Sequence, residues 1–588
     1  MKNFKYLYEL TFIMEFVGKI NRISSYLIIS IVSLLTVLRL YIGNSFPYWY
    51  LLTNQLDELL LINNAHLSQY FANWNIHSLS KTIGYSLFLK FVNVIGLPYG
   101  FVLSLVWILG GILIVYAVYN YFTKNQIFLA LIYLFIIFLP CGLDLFISGR
   151  VYRNAAIAPF LILLLSSLFI FMNKVISEDI SNRNLLVWGI VLGLLFTFNY
   201  YLKEDGIGIL ILFLASIFLV LILKFVPVIK NKSFNVKKSY KTIILCIIPI
   251  LIFVGCTFAY SEVNHEKFGV YDINTRTEGE LGEFFHNLLL IDDKNNSDVY
   301  WVTYSTIDKA WNASPTLQSR PDLFNNWVHS GWAQGNLKEN KLNGDTNAWS
   351  LRDALAASGL YTDEKSTSDF FHKVNAELDD AFKNGDLNKS DKIFISKYAV
   401  GRSVGEIFDL KDLFFSLLKT SILYKDLGRD IQDCNVDVML PSLTFGENNQ
   451  VKDVESFLHM NIFTKSEYSQ DNFEWNFAKS SIHFYQLISI IIVIISVISF
   501  ILTGINLILN RFKSKNLSLV FLFEILLLGT FAVQLFGLCW FSSFLGYCEY
   551  TMAYSSNCQA IFAIFEVLAI AGIVSIIEKE GIRNILKN

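Results

Sequence analysis

The sequence predicts an all-α, polytopic membrane protein: about ten membrane-spanning helices carrying one large, mainly helical insertion. Three observations predict it. Hydrophobic residues make up 54% of the 588 residues, charged residues only 16%, and the mean hydropathy is +0.46. A surface of that composition needs lipid as well as water for a solvent. Apolar runs recur near residues 24–43, 98–118, 126–145, 155–172, 185–201, 206–223, 242–260, 484–509, 517–540 and 557–577. Runs of about 20 residues rising 1.5 Å each cross a hydrocarbon core of about 30 Å. Finally, residues 261–480 carry most of the charge and interrupt the pattern. Lipid offers no partner to an open sheet edge, so the spans are helices.

The first run is a membrane span and not a cleavable leader, because it is long enough to cross and no small-residue cleavage site follows. The preceding Tyr6–Ile20 stretch is expected to lie along the cytoplasmic interface. Cations then set the orientation. With both termini in the cytoplasm, the inner segments collect Lys19, Arg22, Lys124, Lys174, Lys224, Lys230, Lys232, Lys237, Lys238, Arg511 and Lys579, among others. The short outer loops hold Lys81, Lys90, Arg150, Arg153 and Lys203. Inner cations exceed outer ones by roughly three to one, as the positive-inside rule requires. This divides the chain into an N-terminal membrane module (1–260), an extracytoplasmic domain (261–480) and a C-terminal membrane module (481–588). The loop 44–97 also lies outside. A net charge of −2 argues against nucleic-acid binding, which needs a basic face.

The insertion holds six of the eleven tryptophans: Trp301, Trp311, Trp327, Trp332, Trp349 and Trp475. Such residues are core more often than sugar platforms. Its clearest helix is Ser368–Lys383, where Phe370, Phe371, Val374, Leu378 and Phe382 recur at helical spacing. Asn336–Asn347 reads as a polar loop. Cysteines show no metal-site spacing and no CxxC pair. Cys548 and Cys558 flank a short loop, where a disulfide is open to them if the loop is extracytoplasmic.

Three outer-loop clusters are candidates for chemistry. Asp57-Glu58 opens a stretch, 57–71, in which Leu60, Leu61, Leu67 and Phe71 form an apolar stripe. Asn64 and Ser68 share the opposite side with Asp57. Such a helix should lie flat at the interface and hold a carboxylate at headgroup depth. The plainer reading is two solvated acids at a helix N-terminus. The next stretch, Ile83–Ile95, contains Gly84-Tyr85-Ser86-Leu87-Phe88-Leu89, is too short to span, and fits a re-entrant or interfacial helix. Arg150-Val151-Tyr152-Arg153 places two bidentate phosphate ligands where orientation disfavours cations, although snorkelling to headgroups would also hold them there. Lys203-Glu204-Asp205-Gly206 is a third charged apex, which could simply cap two helices. Three clusters on one face favour a site over any one alone.

With these residues in place, the chain resembles the GT-C superfamily of integral membrane glycosyltransferases, among them the protein O-mannosyltransferases and lipid A aminoarabinose transferases. Those enzymes carry an acidic residue or pair in the first extracytoplasmic loop, followed by interfacial helices. Asp57-Glu58 and Ile83–Pro98 match that pattern, although Ile83-Gly84-Tyr85-Ser86-Leu87-Phe88-Leu89 lacks the two prolines common in bacterial members. The likeness covers mainly residues 24–260. It implies a GT-C-like fold and sugar transfer from a polyprenyl-phosphate donor to an extracytoplasmic glycan, lipid or protein by inverting displacement. Asp57 would take the acceptor proton, with Glu58 the second carboxylate. Arg150, Arg153 and Lys203 would hold the departing lipid phosphate. Glu58, Glu204, Asp205, Asn64 and Ser68 would orient the acceptor, or its carboxylates would bind a divalent cation. No cofactor is demanded. Two other readings stay open, a lipid or polysaccharide transporter or flippase, and a non-catalytic envelope scaffold.

Overall fold

The structure, a computed structural model, describes residues 25–49, 57–66, 75–177, 181–204, 206–230, 236–330, 344–430, 448–462 and 472–580. Ser68, Asp205, Tyr6–Ile20, Trp332 and most of the expected 336–347 loop lie outside the described residues. The N-terminal module runs through α1 (Ser25–Ser45), α2 (Asp57–His66), α3 (Gly84–Ile95), α4 (Tyr99–Tyr121), α5 (Gln126–Ile137), α6 (Arg153–Ile176), α7 (Asn182–Tyr200), α8 (Ile207–Lys230) and α9 (Val236–Phe268). The insertion contributes α10 (Gly279–Leu290), α11 (Tyr304–Ala313), α12 (Pro315–Gln318), α13 (Pro321–Val328), α14 (Thr346–Ala357), α15 (Glu364–Asn384), α16 (Val404–Asp409), α17 (Lys411–Leu423) and α18 (Asn448–Leu458). The C-terminal module is α19 (Phe473–Leu509), α20 (Lys515–Ser542), α21 (Glu549–Tyr554) and α22 (Ser556–Glu580).

Among the described residues, nine helices are long and apolar enough to cross a membrane. Nine of the ten apolar runs thus become single spanning helices. Run 126–145 does not: α5 is 12 residues long. Pro140 is the physical cause, because proline holds the residue before it out of the helical region, and Leu139 sits at φ −54°, ψ 134°. The chain still covers the membrane's depth there. Ser25 Oγ bonds Gln126 Oε1 at 2.6 Å, Thr36 pairs with Tyr133 OH at 3.0 Å, and Arg39 Nη2 donates to the Gly142 carbonyl at 3.1 Å. At the far end Trp49 N donates to Gly149 O at 2.9 Å. Segment 126–149 therefore runs alongside α1, in the same direction and over the same length, the second half without a long helix. Irregular backbone is tolerated at that depth only inside protein, and residues 139–155 are all buried. Asp144 Oδ1 accepts from the amides of Phe146 and Ile147, and Ser148 Oγ donates to Cys141 O. Together with the bonds from Arg39 and Trp49, these satisfy the turn.

The axis of the bundle is α6, buried on nearly every face and packed against α4, α7, α8 and α22. α1 and α9 instead present their sides outward, as lipid-facing helices do. α3 is the short helix expected before the second span. It buries Tyr85, Phe88, Leu89 and Val92 and exposes Leu87, Phe91 and Val94, the one-sided burial of a helix at the bundle's rim. Gly84 lets it approach the α7–α8 turn: its amide donates to Tyr201 O at 2.9 Å, and a Cβ there would stand 2.4 Å from that oxygen.

The insertion divides between two cores. Residues 281–410 build their own, from Trp301, Trp327, Leu351, Phe371, Val374 and Leu378 among others. The predicted Ser368–Lys383 helix is α15, capped by Asp363 accepting from Ser366 N at 2.7 Å. From Leu417 onward the buried residues (Tyr424, Leu427, Val454, Phe457 and Trp475) belong to the membrane bundle's core. The tryptophans of the insertion that are described are core residues. Cys548 and Cys558 are both free thiols.

A candidate active site at the rim of the bundle

Asp57 is the first residue of α2 and Glu58 the second. The helix does not offer a solvated polar strip: Glu58, Leu60, Leu61, Ile62, Asn64 and Ala65 are all buried. The expectation of a flat helix with Asn64 on its wet side is corrected here. α2 packs against α3, and Ser86 Oγ of α3 donates to Leu61 O at 3.0 Å. Buried on both sides, α2 is held by tertiary contacts and not by an interface.

Glu58 has no exposed surface, and its Oε1 accepts from Arg150 Nε across 92 residues of chain. A parallel bridge between Trp49 and Arg150 fixes the turn that carries the arginine. The Arg150 guanidinium then lies 4.6 Å from the ring centre of Tyr152, 5.1 Å from that of Tyr550 and 5.9 Å from that of Trp49. Aromatic faces attract a cation held at that range. Burial works to remove the Arg150 proton, but the adjacent Glu58 carboxylate outweighs it and drives its pKa upward. Glu58 Oε2 is buried and meets no hydrogen-bond partner among the described residues.

The second arginine serves a different carboxylate. Arg153 Nη1 donates to Glu204 Oε2, while Arg153 Nη2 donates to Tyr152 OH at 2.8 Å. Glu204 also lies 3.9 Å from Arg276 Nη2, and Arg276 Nη1 lies 3.6 Å from Asp345 Oδ2. Arg276 sits between two rings of the insertion, 4.9 Å from Tyr398 and 5.4 Å from Trp349, and Lys81 Nζ is 5.0 Å from Trp349. Burial of Glu204 works to raise its pKa. The charges of Arg153, Lys81 and Arg276 overcome that and hold its carboxyl well below the usual carboxylate range. Glu204 thus stands among three cations, one of which, Arg276, also faces Asp345. Lys203 stands over Tyr554, 4.8 Å from the ring centre.

The structure thus brings the three charged clusters to one face: α2 to the 150–153 turn through Glu58, and that turn to the α7–α8 apex through Glu204. Sequence reasoning missed Arg276, Asp345, Tyr398, Tyr550 and Tyr554, and counted Trp349 only among the insertion's tryptophans and Lys81 only as a loop cation. Tyr550 and Tyr554 stand one helical turn apart on α21, a spacing legible in the sequence but without meaning until α21 is placed opposite Arg150 and Lys203. Asn154, 1% exposed, has both amide atoms unpartnered among the described residues. Among those residues no three His, Cys, Asp or Glu side chains are grouped to hold a metal ion.

No protein-family model matches the chain, and no curated protein matches it. Among solved structures it is similar to the crystal structure of ArnT from Cupriavidus metallidurans in the apo state, at 9% identity over 93% of this chain and 77% of that one, with a TM-score of 0.27. At that score the description of the chain as a multi-pass helical membrane protein rests on its own helices.

Proposed function

We propose that this protein is a membrane glycosyltransferase that moves a sugar from a polyprenyl-phosphate donor to an acceptor outside the cytoplasm, by inverting displacement. The observation that carries the reading is the convergence of three distant loops on one buried, aromatic-lined cluster of paired charges. Burying so many charges side by side is costly unless they are paired. Arg150 and Arg153 each have a carboxylate partner, which keeps them charged and in place. Arg150, Arg153 and Lys203 are the proposed phosphate ligands. Their carboxylate and ring partners keep the guanidinium planes oriented before the donor arrives, which suits stabilisation of charge developing on a leaving phosphate. A phosphate departs readily, so no separate general acid is required.

In this proposal the neighbouring acids divide the work. Glu58 anchors α2 to Arg150, and Asp57, heading the same helix, takes the proton from the attacking hydroxyl. The residues at Glu204 and Asp205 orient the acceptor from the α7–α8 apex, and the insertion selects it through the Arg276–Trp349 contact. Membranes containing the protein, given a polyprenyl-phosphate sugar and envelope acceptors, should form a glycosylated product visible by mass spectrometry. No product with any donor, together with unchanged surface glycans when the protein is removed, would end the proposal.

One observation favours the transporter reading. Glu524 of α20 is fully buried within a span, and neither of its carboxyl oxygens has a hydrogen-bond partner among the described residues. Buried membrane acids commonly mark proton or substrate paths. Under the transferase reading Glu524→Gln leaves transfer intact, and a loss of lipid or polysaccharide export in that variant would favour the alternative.

A further inference from the structure

The insertion carries an exposed apolar stripe for which the proposed site has no use. Val404 and Phe408 of α16 and Phe415 of α17 are 61%, 71% and 56% exposed. Leu410, between the two helices, keeps helical backbone angles at φ −68°, ψ −9°, so α16 and α17 continue one another with little break. Val404, Phe408, Lys411, Phe415 and Lys419 then follow at helical spacings of four, three, four and four, and all five are exposed. Leu410, Leu417, Thr420 and Ser421 on the opposite side are buried.

The stripe runs along the edge of the bundle. Arg402, just before α16, donates through Nη2 to Trp540 O at 3.2 Å, near the end of α20. Leu410 and Leu413 line one cavity with Ser543 and Gly546, and Thr420 Oγ1 lies 2.7 Å from Tyr547 OH. Past α17 the chain goes deeper: Gln486 Nε2 of α19 donates to Tyr424 O at 2.9 Å, beside the exposed Phe484 and Leu487 of that span. Gly428, at φ +78°, turns the chain there and its amide donates to Asp144 Oδ2 at 2.8 Å. The end of α17 that follows the stripe therefore lies against α19, a span whose Phe484 and Leu487 face outward.

We infer that α16 and α17 form an interfacial arm whose Val404, Phe408 and Phe415 enter the lipid leaflet on the insertion's side of the membrane. The rings stand among exposed Asp409, Lys411, Asp412 and Lys419. The amphipathic pattern fits this occupant: rings sit at headgroup depth while the charged groups stay in the wet headgroup layer and lysine stems reach to the phosphates. The arm would fix the height of the insertion above the bilayer independently of what the site transfers.

Full-length protein in phosphatidylcholine–phosphatidylglycerol nanodiscs tests this. An environment-sensitive fluorophore is attached at Phe408→Cys or Phe415→Cys, with Lys365→Cys on exposed α15 as reference and labelled wild type for background. Nitroxide-bearing lipid should quench 408 and 415 several-fold more than 365. Val404→Cys, on the same stripe, repeats the measurement if either phenylalanine variant fails to fold. Equal quenching at all sites overturns the proposal. So does a 408–408 cross-link between copies with no lipid quenching, which would make the stripe a contact between two chains.

Discussion

The two arginines of the 150–153 turn have opposite surroundings. Arg150 is enclosed by one fully buried carboxylate and three aromatic rings, all from the two membrane modules. Arg153 shares Glu204 with Arg276, and Arg276 leans on the rings and Asp345 of the insertion. The first cluster is closed and local to the bundle, whereas the second is a chain of charges joining bundle to insertion. Changes at Arg150 should therefore act on the integrity of the site, and changes along the Glu204 chain on how the insertion is coupled to it.

The largest effect should separate two adjacent residues. Asp57→Asn keeps shape and polarity but removes the proposed base. It should lower turnover about 10²–10⁴-fold with unfolding temperature and donor affinity near those of wild type, as a transfer assay beside a thermal melt would show. Full activity in this variant would take Asp57 out of the mechanism. Glu58→Gln should behave differently in kind. It leaves Arg150 buried without its counter-charge, and breaking a buried pair costs about 3–5 kcal/mol. A marked fall in unfolding temperature is expected, so its loss of activity would track loss of folded protein. A Glu58→Gln variant as stable as wild type but inactive would transfer the base role to Glu58.

Arg153→Ala should weaken donor binding roughly 10- to 150-fold, for a lost charge-assisted contact of about 1.5–3 kcal/mol, and Arg153→Lys should restore it only in part. Titration with a polyprenyl phosphate in detergent reads this directly, and unchanged affinity in the alanine variant would refute the assignment. Glu204 gives a pH signature. Its folded-state pKa is depressed, so its stabilising contribution is complete above the ordinary glutamate range, about pH 4.3, and is lost as pH falls below that. Glu204→Gln should flatten the acid limb of the unfolding-temperature profile, and an unaltered limb would show that other acids govern it. The smallest effect belongs to Tyr550. Tyr550→Leu should cost about 0.5–2 kcal/mol of Arg150 stabilisation and a corresponding loss of donor affinity, while Tyr550→Phe, which keeps the ring, should cost little.

Much of this architecture was legible beforehand because its causes are local. A run of apolar residues becomes a spanning helix whatever its neighbours are, and nine of the ten runs did so. Pro140 in the remaining run was visible, but a proline near a run's end does not say whether the chain turns back or continues through. That was decided by Asp144, Ser148 and Trp49, which satisfy the irregular backbone. The 12-residue α3 followed from its length alone. The flat α2 did not follow, since an apolar stripe with polar residues opposite describes a helix at an interface and equally one buried beside partners for its polar groups.

Residues adjacent along the chain, with the cost of unbonded backbone in lipid, suffice for the helical membrane class, the places of nine spans, the short α3 and the loops rich in charge. α9 and α19, at 33 and 37 residues, nevertheless outrun the apolar runs that mark them. Which charges meet is a property of the folded chain. Glu58 pairs with Arg150 from 92 residues away and Glu204 with Arg153 from 51, and Arg276, Tyr550 and Tyr554 come from segments with no local mark of membership. An isolated charge carries no record of its partner, because pairing depends on distance and burial in the folded chain. The division of the insertion has the same origin: the apolar residues of α15 and α17 look alike in sequence, but one set faces its own domain and the other faces the bundle.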